Sequence, residues 1–479
     1  MPAPRSTDTS MTTWRGSWWR PGRSEEIGGE LSVDDTGCTL TLFGSFGPAS
    51  LPPGGMTWPP AQPLREPLIH GIAEGIRFSV VNSECHWPRP PRALGTEQWR
   101  AEAAIEAHLE LPAEGQLLLY SGLGIDLQHL ARWARAPGFD QRFYYDSERI
   151  EVGVQPHTLE SCALPSGVTL TIRQGIDSET IGDTEGVAIR HPVAVWIDDT
   201  TPATWQSLLN TWLQPIQVLV WLATATPGWV DRLWVRTRNI DGDLSWARLW
   251  LPLVQPLRES DLLPGDLLFF ARDLPGGFCK GLERWLLLWE ELQHVIGPLF
   301  SRVRAPFTYA NDRLYTAVAA IEAYHRYCTD TARDLPKAEH KARVERLATV
   351  LRVHAPDLEE WAVNAARPFN HRAIWRRIVD VAECTGLVGT ELLANKAEPF
   401  ARAVEKARHG QAHALAGSES PLGDSGRLYL AATAVTWLLR FGWLVDLGFP
   451  THTAEASILR NSQFQWAVSS LRPTLSDLG

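Results

Sequence analysis

An arginine and a histidine with four residues between them, Arg408 and His413, close the stretch Glu405-Lys406-Ala407-Arg408-His409-Gly410-Gln411-Ala412-His413. The two side-chain types suit metal-independent cleavage of a phosphodiester. An imidazole titrates near neutrality, so it can take a proton from an attacking hydroxyl or give one to a leaving oxygen. A guanidinium offers forked donors that match the charge growing on a phosphorane better than lysine does. A nucleophilic ribose 2′-OH would restrict that chemistry to RNA. Spacing alone is weak, because Arg65/His70, Arg333/His340 and Arg402/His409 also fit Arg-x4-6-His. Arg65/His70 follows a proline-rich run, Pro336 interrupts Arg333/His340, and Arg402/His409 lacks the register of the remaining pair. Only Arg408/His413 follows an amphipathic approach, through Phe400, Val404 and Ala407. Five residues of ideal helix turn a side chain by about 140°, so the pair would border a groove rather than share a narrow face. Gly410 lowers helix stability and marks a kink or a start.

The elements that must position this pair read as helices. Leu282, Trp285, Leu286, Trp289, Leu292 and Ile296 form one stripe over Gly281–Leu299, and Leu314, Val318 and Ile321 another over Tyr309–Tyr327. Further helices are expected near residues 338–353, 371–387, 390–407 with a continuation through His413, and 428–447. The last is about as long as a membrane span but carries Arg440 and Asp446, which fits a buried core helix and no membrane.

Ahead of about residue 300 the period is two. Residues 29–33 and 39–43 flank Asp34-Asp35-Thr36-Gly37 as a β-hairpin, and Gly47–Pro67 is a Pro/Gly-rich loop. Strands are expected at 75–81, 168–173, 187–197, 232–238 and 246–251, with a helix through Trp205, Leu208, Trp212 and Ile216. Over Ala103–Leu111 composition favours helix and alternation favours strand; strand is the expectation. The chain therefore reads as an α+β multidomain protein, a β-rich N-terminal domain with inserted helices followed by an all-α bundle. The expected divisions are a disordered 1–13, a β-rich 14–300, a helical 301–465 and a tail at 466–479, with the boundary near Arg302–Phe307.

Composition removes several classes. Residues 1–13 lack an apolar signal core, and a cytoplasmic protein is expected. Six cysteines without Cys-x-x-Cys oppose a zinc ribbon or a disulfide scaffold; buried thiols are expected, and no metal or cofactor is implied. No Walker loop, Gly-x-Ser-x-Gly elbow or His-Glu-x-x-His occurs. The net charge is −10, yet residues 1–299 hold 23 basic against 36 acidic residues (−13) and residues 300–479 hold 22 against 19 (+3), which permits a basic cleft in the second part. Most of the 22 tryptophans sit at spacings suited to packing rather than to base or sugar stacking. Trp14, Trp18 and Trp19 are the least explained.

The order of these features resembles one family. Tyr309–Arg326 is similar to the opening helix of an Apea-like HEPN domain, Ala407–Leu415 to its catalytic segment, and Leu428–Gly448 to its last long helix. Trp14–Phe46 and Leu68–Ile72 resemble the N-terminal domain of ApeA-type proteins. The resemblance implies an all-α HEPN helical bundle, in an anti-phage abortive-infection effector whose HEPN domain cuts RNA, tRNA included, without metal. It implies a homodimer through that domain and control by the N-terminal domain, with a phage-derived trigger. Arg408 would stabilise the phosphate and His413 transfer the proton. His409 stands where the family often has Asn or Asp, and Glu322 matches an acidic position that would orient Arg408. His371, Arg372, Arg376 and Arg377 form a basic face that could meet RNA phosphates. The alternative is a non-catalytic HEPN module that dimerises or binds a partner.

Overall fold

The computed structural model describes residues 12–34, 36–46, 64–86, 96–110, 116–136, 140–144, 149–153, 157–181, 186–190, 192–252, 262, 265–305, 308–329, 333–367, 370–412 and 421–478. The chain divides into two compact units, Met1–Val220 with Gly228–Asp261 and Phe270–Arg272, and Trp221–Pro227 with Leu262–Phe269 and Asp273–Gly479.

The first unit carries strands β1 (Thr12–Trp19), β2 (Ile27–Val33), β3 (Cys38–Leu42), β4 (Leu64–Ala73), β5 (Ile76–His86), β6 (Glu97–Ala101), β7 (Ala103–Ile105) and β8 (Tyr120–Leu127). It continues with β9 (Asp140–Tyr144), β10 (Arg149–Gly153), β11 (His157–Ala163), β12 (Thr169–Gln174), β13 (Asp177–Ile181), β14 (Gly186–Arg190), β15 (Val193–Ala203), β16 (Val230–Arg238) and β17 (Leu244–Trp250). Helices α1 (Leu130–Trp133) and α2 (Trp205–Leu208) are inserted, and a π turn at Leu209–Leu213 joins α2 to α3 (Gln214–Thr224), whose residues from Trp221 on belong to the second unit. Thirteen strands share one sheet in the order β11-β12-β15-β8-β16-β17-β7-β5-β4-β1-β2-β3-β6. Because β6 also pairs with β5, strands β1 to β6 close into a barrel.

Alternation explains the barrel. In β3 and β6 every second residue is buried, which sends Leu40 and Trp99 inward. Trp14 and Trp18, unexplained by spacing, belong to this core, with Phe78 5.1 Å from Trp14 between ring centres. A side chain at Gly71 would put its Cβ 2.1 Å from the Trp18 ring, so only glycine lets β4 pass that indole.

Several sequence expectations shift here. The hairpin forms, as β2 and β3. Of the expected loop Gly47–Pro67, residues 47–63 lie outside the described residues, and Leu64–Pro67 already belong to β4. The strand at 103–111 shrinks to three residues, since β7 pairs with both β5 and β17 only there. The expected strand 187–197 is two, β14 and β15. Of the start expected to be disordered, 1–13, residues 1–11 lie outside the described residues, whereas Thr12 and Thr13 pair with β2.

The second unit is helical: α4 (Phe278–Arg304), α5 (Ala310–Cys328), α6 (Lys337–His354), α7 (Pro356–Ala366), α8 (Ile374–Cys384), α9 (Leu387–Leu393), α10 (Ala397–Ala412), α11 (Ser425–Asp446), α12 (Thr451–Arg460) and α13 (Ser462–Ser476). The expected boundary at 300–301 is corrected, since α4 packs its Trp285, Leu292 and Ile296 stripe in this unit and the period changes before residue 300. The expected tail 466–479 is corrected too, because Ala467, Val468, Leu471 and Leu475 are buried along α13.

Helix α8 is shorter than expected. Asn370 bonds the backbone of Leu335 through both side-chain atoms and His371 bridges Arg333, so the chain is extended until Ala373. The expected helix 390–407 breaks between α9 and α10, where Ala394 and Asn395 take φ of 48° and 59°. Apolar nearly all round, α11 is the central core helix. Gly442 gives Tyr324 of α5 room beside it, and the Tyr324 hydroxyl donates to Asp446 Oδ2 at 2.7 Å. Cys38 and Cys85 are buried thiols as expected, whereas Cys328 and Cys384 are exposed.

Candidate functional site

Phe400, Val404 and Ala407 are buried along α10, and that stripe fixes which way the helix presents Arg408. Arg408 emerges one residue past the stripe, with its side chain 24% exposed. Its Nη2 lies 3.5 Å from Glu322 Oε2 on α5, whose side chain is 15% exposed. Its guanidinium carbon also stands 5.6 Å from the centre of the Tyr315 ring. Tyr315 and Glu322 are seven residues apart, two helical turns, so α5 shows both to Arg408 on one face. One long contact to a carboxylate leaves most of the five guanidinium donors for another acceptor.

His413 lies outside the described residues. His409 is exposed, and its Nδ1 is 3.0 Å from the Glu405 carbonyl one turn back. The structure thus brings Arg408 and Glu322 together, with His409 on the same helix.

The rival pairs have other work. Arg65 and His70 sit on β4 in the β unit, with Arg65 paired to Glu84. Arg402 pairs with Glu398 and lies 3.8 Å over the Trp375 ring. His340 Nε2 is 3.2 Å from the Arg367 carbonyl.

The basic face expected at 371–377 is divided rather than open. Arg372 grips Asp380 with two donors and is 3.5 Å from Asp334. Arg377 is buried and donates to the carbonyls of Arg372 at 2.9 Å and Glu322 at 3.4 Å, so it braces the turn beneath Glu322 rather than facing phosphate. Arg376 is the most exposed of the three at 47%, and it pairs with Asp334 at 3.2 Å. The intervening acids, Asp334 and Asp380, are what a count of basic residues misses.

His325 is a histidine that spacing did not single out. It is buried on α5, with Nε2 2.8 Å from Asp380 Oδ2. Burial pushes its pKa below the ordinary value against the pull of Asp380, and nearby Arg377 and Arg372 add to the lowering. Burial opposes ionisation of Asp380, but bonds from Arg372 and His325 hold its carboxyl below the usual range. At 1% exposure His325 cannot touch a substrate. It is a fixed strut between α5 and α8, and α5 is the helix that carries Glu322.

Tyr315, Arg408 and Glu322 all lie inside the segment, residues 315–453, that matches the family model described as Apea-like HEPN. No curated protein and no solved structure matches the chain. The match runs from α5 into α12 and takes in every helix that meets the Arg408 site, so the C-terminal helices of this chain form a HEPN domain of the ApeA type.

Proposed function

We propose that the chain is a defence-associated, metal-independent endoribonuclease that cuts RNA, tRNA included, through its HEPN domain. The observation that carries this is the seating of Arg408 against Glu322 in the matched segment, exposed enough for a phosphate to reach. In this mechanism His413 takes the 2′-OH proton or protonates the 5′-oxygen, and Arg408 stabilises the phosphorane charge. Glu322 fixes the rotamer of Arg408 so that its forked donors point one way. His409, on the same helix as Arg408, is a second proton carrier. Two copies, each contributing an Arg408/His413 pair to one cleft, form the working dimer. The β unit holds the activity off until a phage-derived signal arrives.

The test is cleavage of total RNA and tRNA in EDTA by wild type, Arg408→Ala and His413→Ala, with end-group analysis. Loss in both variants, together with 2′,3′-cyclic phosphate or 3′-phosphate ends from wild type, supports the proposal. Undiminished cleavage by His413→Ala overturns the assignment. The second reading, a non-catalytic HEPN module, draws on the same ion pair, since Glu322 neutralises Arg408 as a structural pair would. In that case Arg408→Ala and His413→Ala leave partner binding or dimer formation intact and no wild-type cleavage is found under any trigger.

A further inference from the structure

The helical unit holds a second place where guanidinium groups meet, and it shares no lining residue with the Arg408 site. A cavity of about 230 Å³ is bounded by α4, the start of α5, α11 and α13. Arg302, Arg313 and Arg440 line it, and among the described residues no carboxylate does, in a chain whose net charge is −10. On α11 the lining residues Tyr429, Thr433, Thr436 and Arg440 recur at helical spacing, so one stripe of the helix faces the cavity.

Arg440 is the unusual member. It is 3% exposed, and among the described residues it makes no hydrogen bond or ion pair. Its guanidinium lies between two indoles, 4.8 Å from the Trp221 ring centre and 4.5 Å from that of Trp437. Ring faces offset part of the cost of burying a cation, but they accept no N–H bond. Arg440 Nε is buried without an acceptor, and so is Trp221 Nε1 in the same lining. Burial alone pulls the Arg440 pKa down to about 9. A buried charge is normally paired. This one faces a cavity whose described lining holds three guanidinium groups and no carboxylate.

The mouth adds planar surface. Trp466 is 51% exposed and Tyr429 38%, with the Arg313 guanidinium 5.4 Å from the Tyr429 ring centre. Enclosed small-molecule sites usually run to about 300–1,000 Å³, so this volume suits a ligand held by one end.

We infer that this cavity binds a phosphomonoester carried on a planar ring, the phosphate meeting Arg440 and Arg302 and the ring lying on Trp466 or Tyr429. The phosphate supplies Arg440 with the countercharge that no carboxylate in the described lining gives it. The ring uses faces that the fold leaves in solvent. Free nucleotide and the phosphorylated end of an RNA carry the same chemistry.

Calorimetric titration of the full-length protein tests this with four nucleoside 5′-monophosphates, their nucleosides, inorganic phosphate, and a short RNA bearing a 5′-phosphate or a 5′-hydroxyl. The readout is binding, so it stands whether or not the chain cleaves RNA. The expected result is saturable binding of a phosphate-bearing ligand, at least about tenfold tighter than its phosphate-free partner. Arg302→Gln and Arg313→Gln each weaken it by about tenfold or more. Arg302 is exposed, so its replacement leaves the fold intact. Arg313 also donates to the Ala305 carbonyl at 3.2 Å, and an unchanged circular dichroism spectrum separates lost binding from lost structure in that variant. Preference for the mononucleotide or for the 5′-phosphorylated RNA identifies the source, and either supports the site. Three results overturn the inference: no phosphate-bearing ligand binds folded wild type, the nucleoside binds as tightly as the nucleotide, or both arginine variants bind unchanged. Inorganic phosphate binding as tightly as nucleotide removes the ring from it.

Discussion

Two arginines of the same helical unit are handled in opposite ways. Arg408 sits near the surface with a carboxylate at 3.5 Å, whereas Arg440 is buried between indoles and among the described residues makes no ion pair. The first is a cation held in place and still able to make new bonds. The second is a cation whose desolvation is only partly offset by ring faces. The difference shows that distance to a carboxylate, rather than exposure alone, separates a poised group from an incomplete one.

The sharpest way to break this contrast is by activity. Arg408→Ala and His413→Ala are each expected to lower RNA cleavage by about 10²–10⁴-fold, measured as initial rate on end-labelled RNA in EDTA. A fall below tenfold for Arg408→Ala removes that residue from the chemistry. Stability comes next. Replacing Arg440 by Met keeps the volume and removes an unpaired buried charge, so the variant is expected to be as stable as wild type or more so, by up to about 4 kcal/mol in denaturant unfolding. A loss of several kcal/mol means that Arg440 is satisfied within the fold, and the contrast fails.

The same logic extends to the β unit, where His70 and His108 stack with ring centres 5.0 Å apart. Burial first, then the neighbouring His108, pull the pKa of His70 from 6.5 to about 4, against a bond to the Leu109 carbonyl. A lowered pKa on a base means that the unfolded chain binds the proton first. Stability is therefore expected to be full above pH 6.5 and to fall as the pH drops from 6.5 towards 4, by about 3 kcal/mol at most. Urea unfolding of wild type and His70→Gln across that range measures it; an equal slope in both variants clears His70. The smallest effect belongs to Glu322→Gln, which keeps the shape and removes the charge. Cleavage is expected to drop about tenfold with the circular dichroism spectrum unchanged, as for loss of a partly exposed pair. No change at all makes Glu322 a bystander.

Much of this architecture is legible from residue order. The stripe Leu282–Ile296, the run Leu428–Leu447 and the approach Phe400–Ala407 each state a helix and its buried face, because burial imposes a 3.6-residue period. The hairpin around Asp34 reads equally well, for the Asp34 carboxylate bonds the Thr36 and Gly37 backbone to make the turn. What escaped is non-local. Nothing in β6 announces that it closes a barrel by pairing with β3 and β5 at once. The extended His371 depends on Arg333, far back in the chain, and the division of the 371–377 face depends on Asp334 and Asp380. Arg440 was legible only as an intrusion into an apolar run. That it lies between two tryptophans and lines a cavity with two further arginines needs α3, α4, α5 and α11 in place.

The barrel closure carries a consequence for association between chains. Strand edges offer unpaired amides to any other extended segment. In the thirteen-stranded sheet β6 is paired on both sides, so β11 alone has a single neighbour among the described residues. That strand is a poor template. Its register slips between Thr158 and Glu160, which interrupts the ladder, and Glu160 places a carboxylate beside the slip. A sheet of this size would otherwise be a route to aggregation, and one irregular, acid-bearing strand guards its open side.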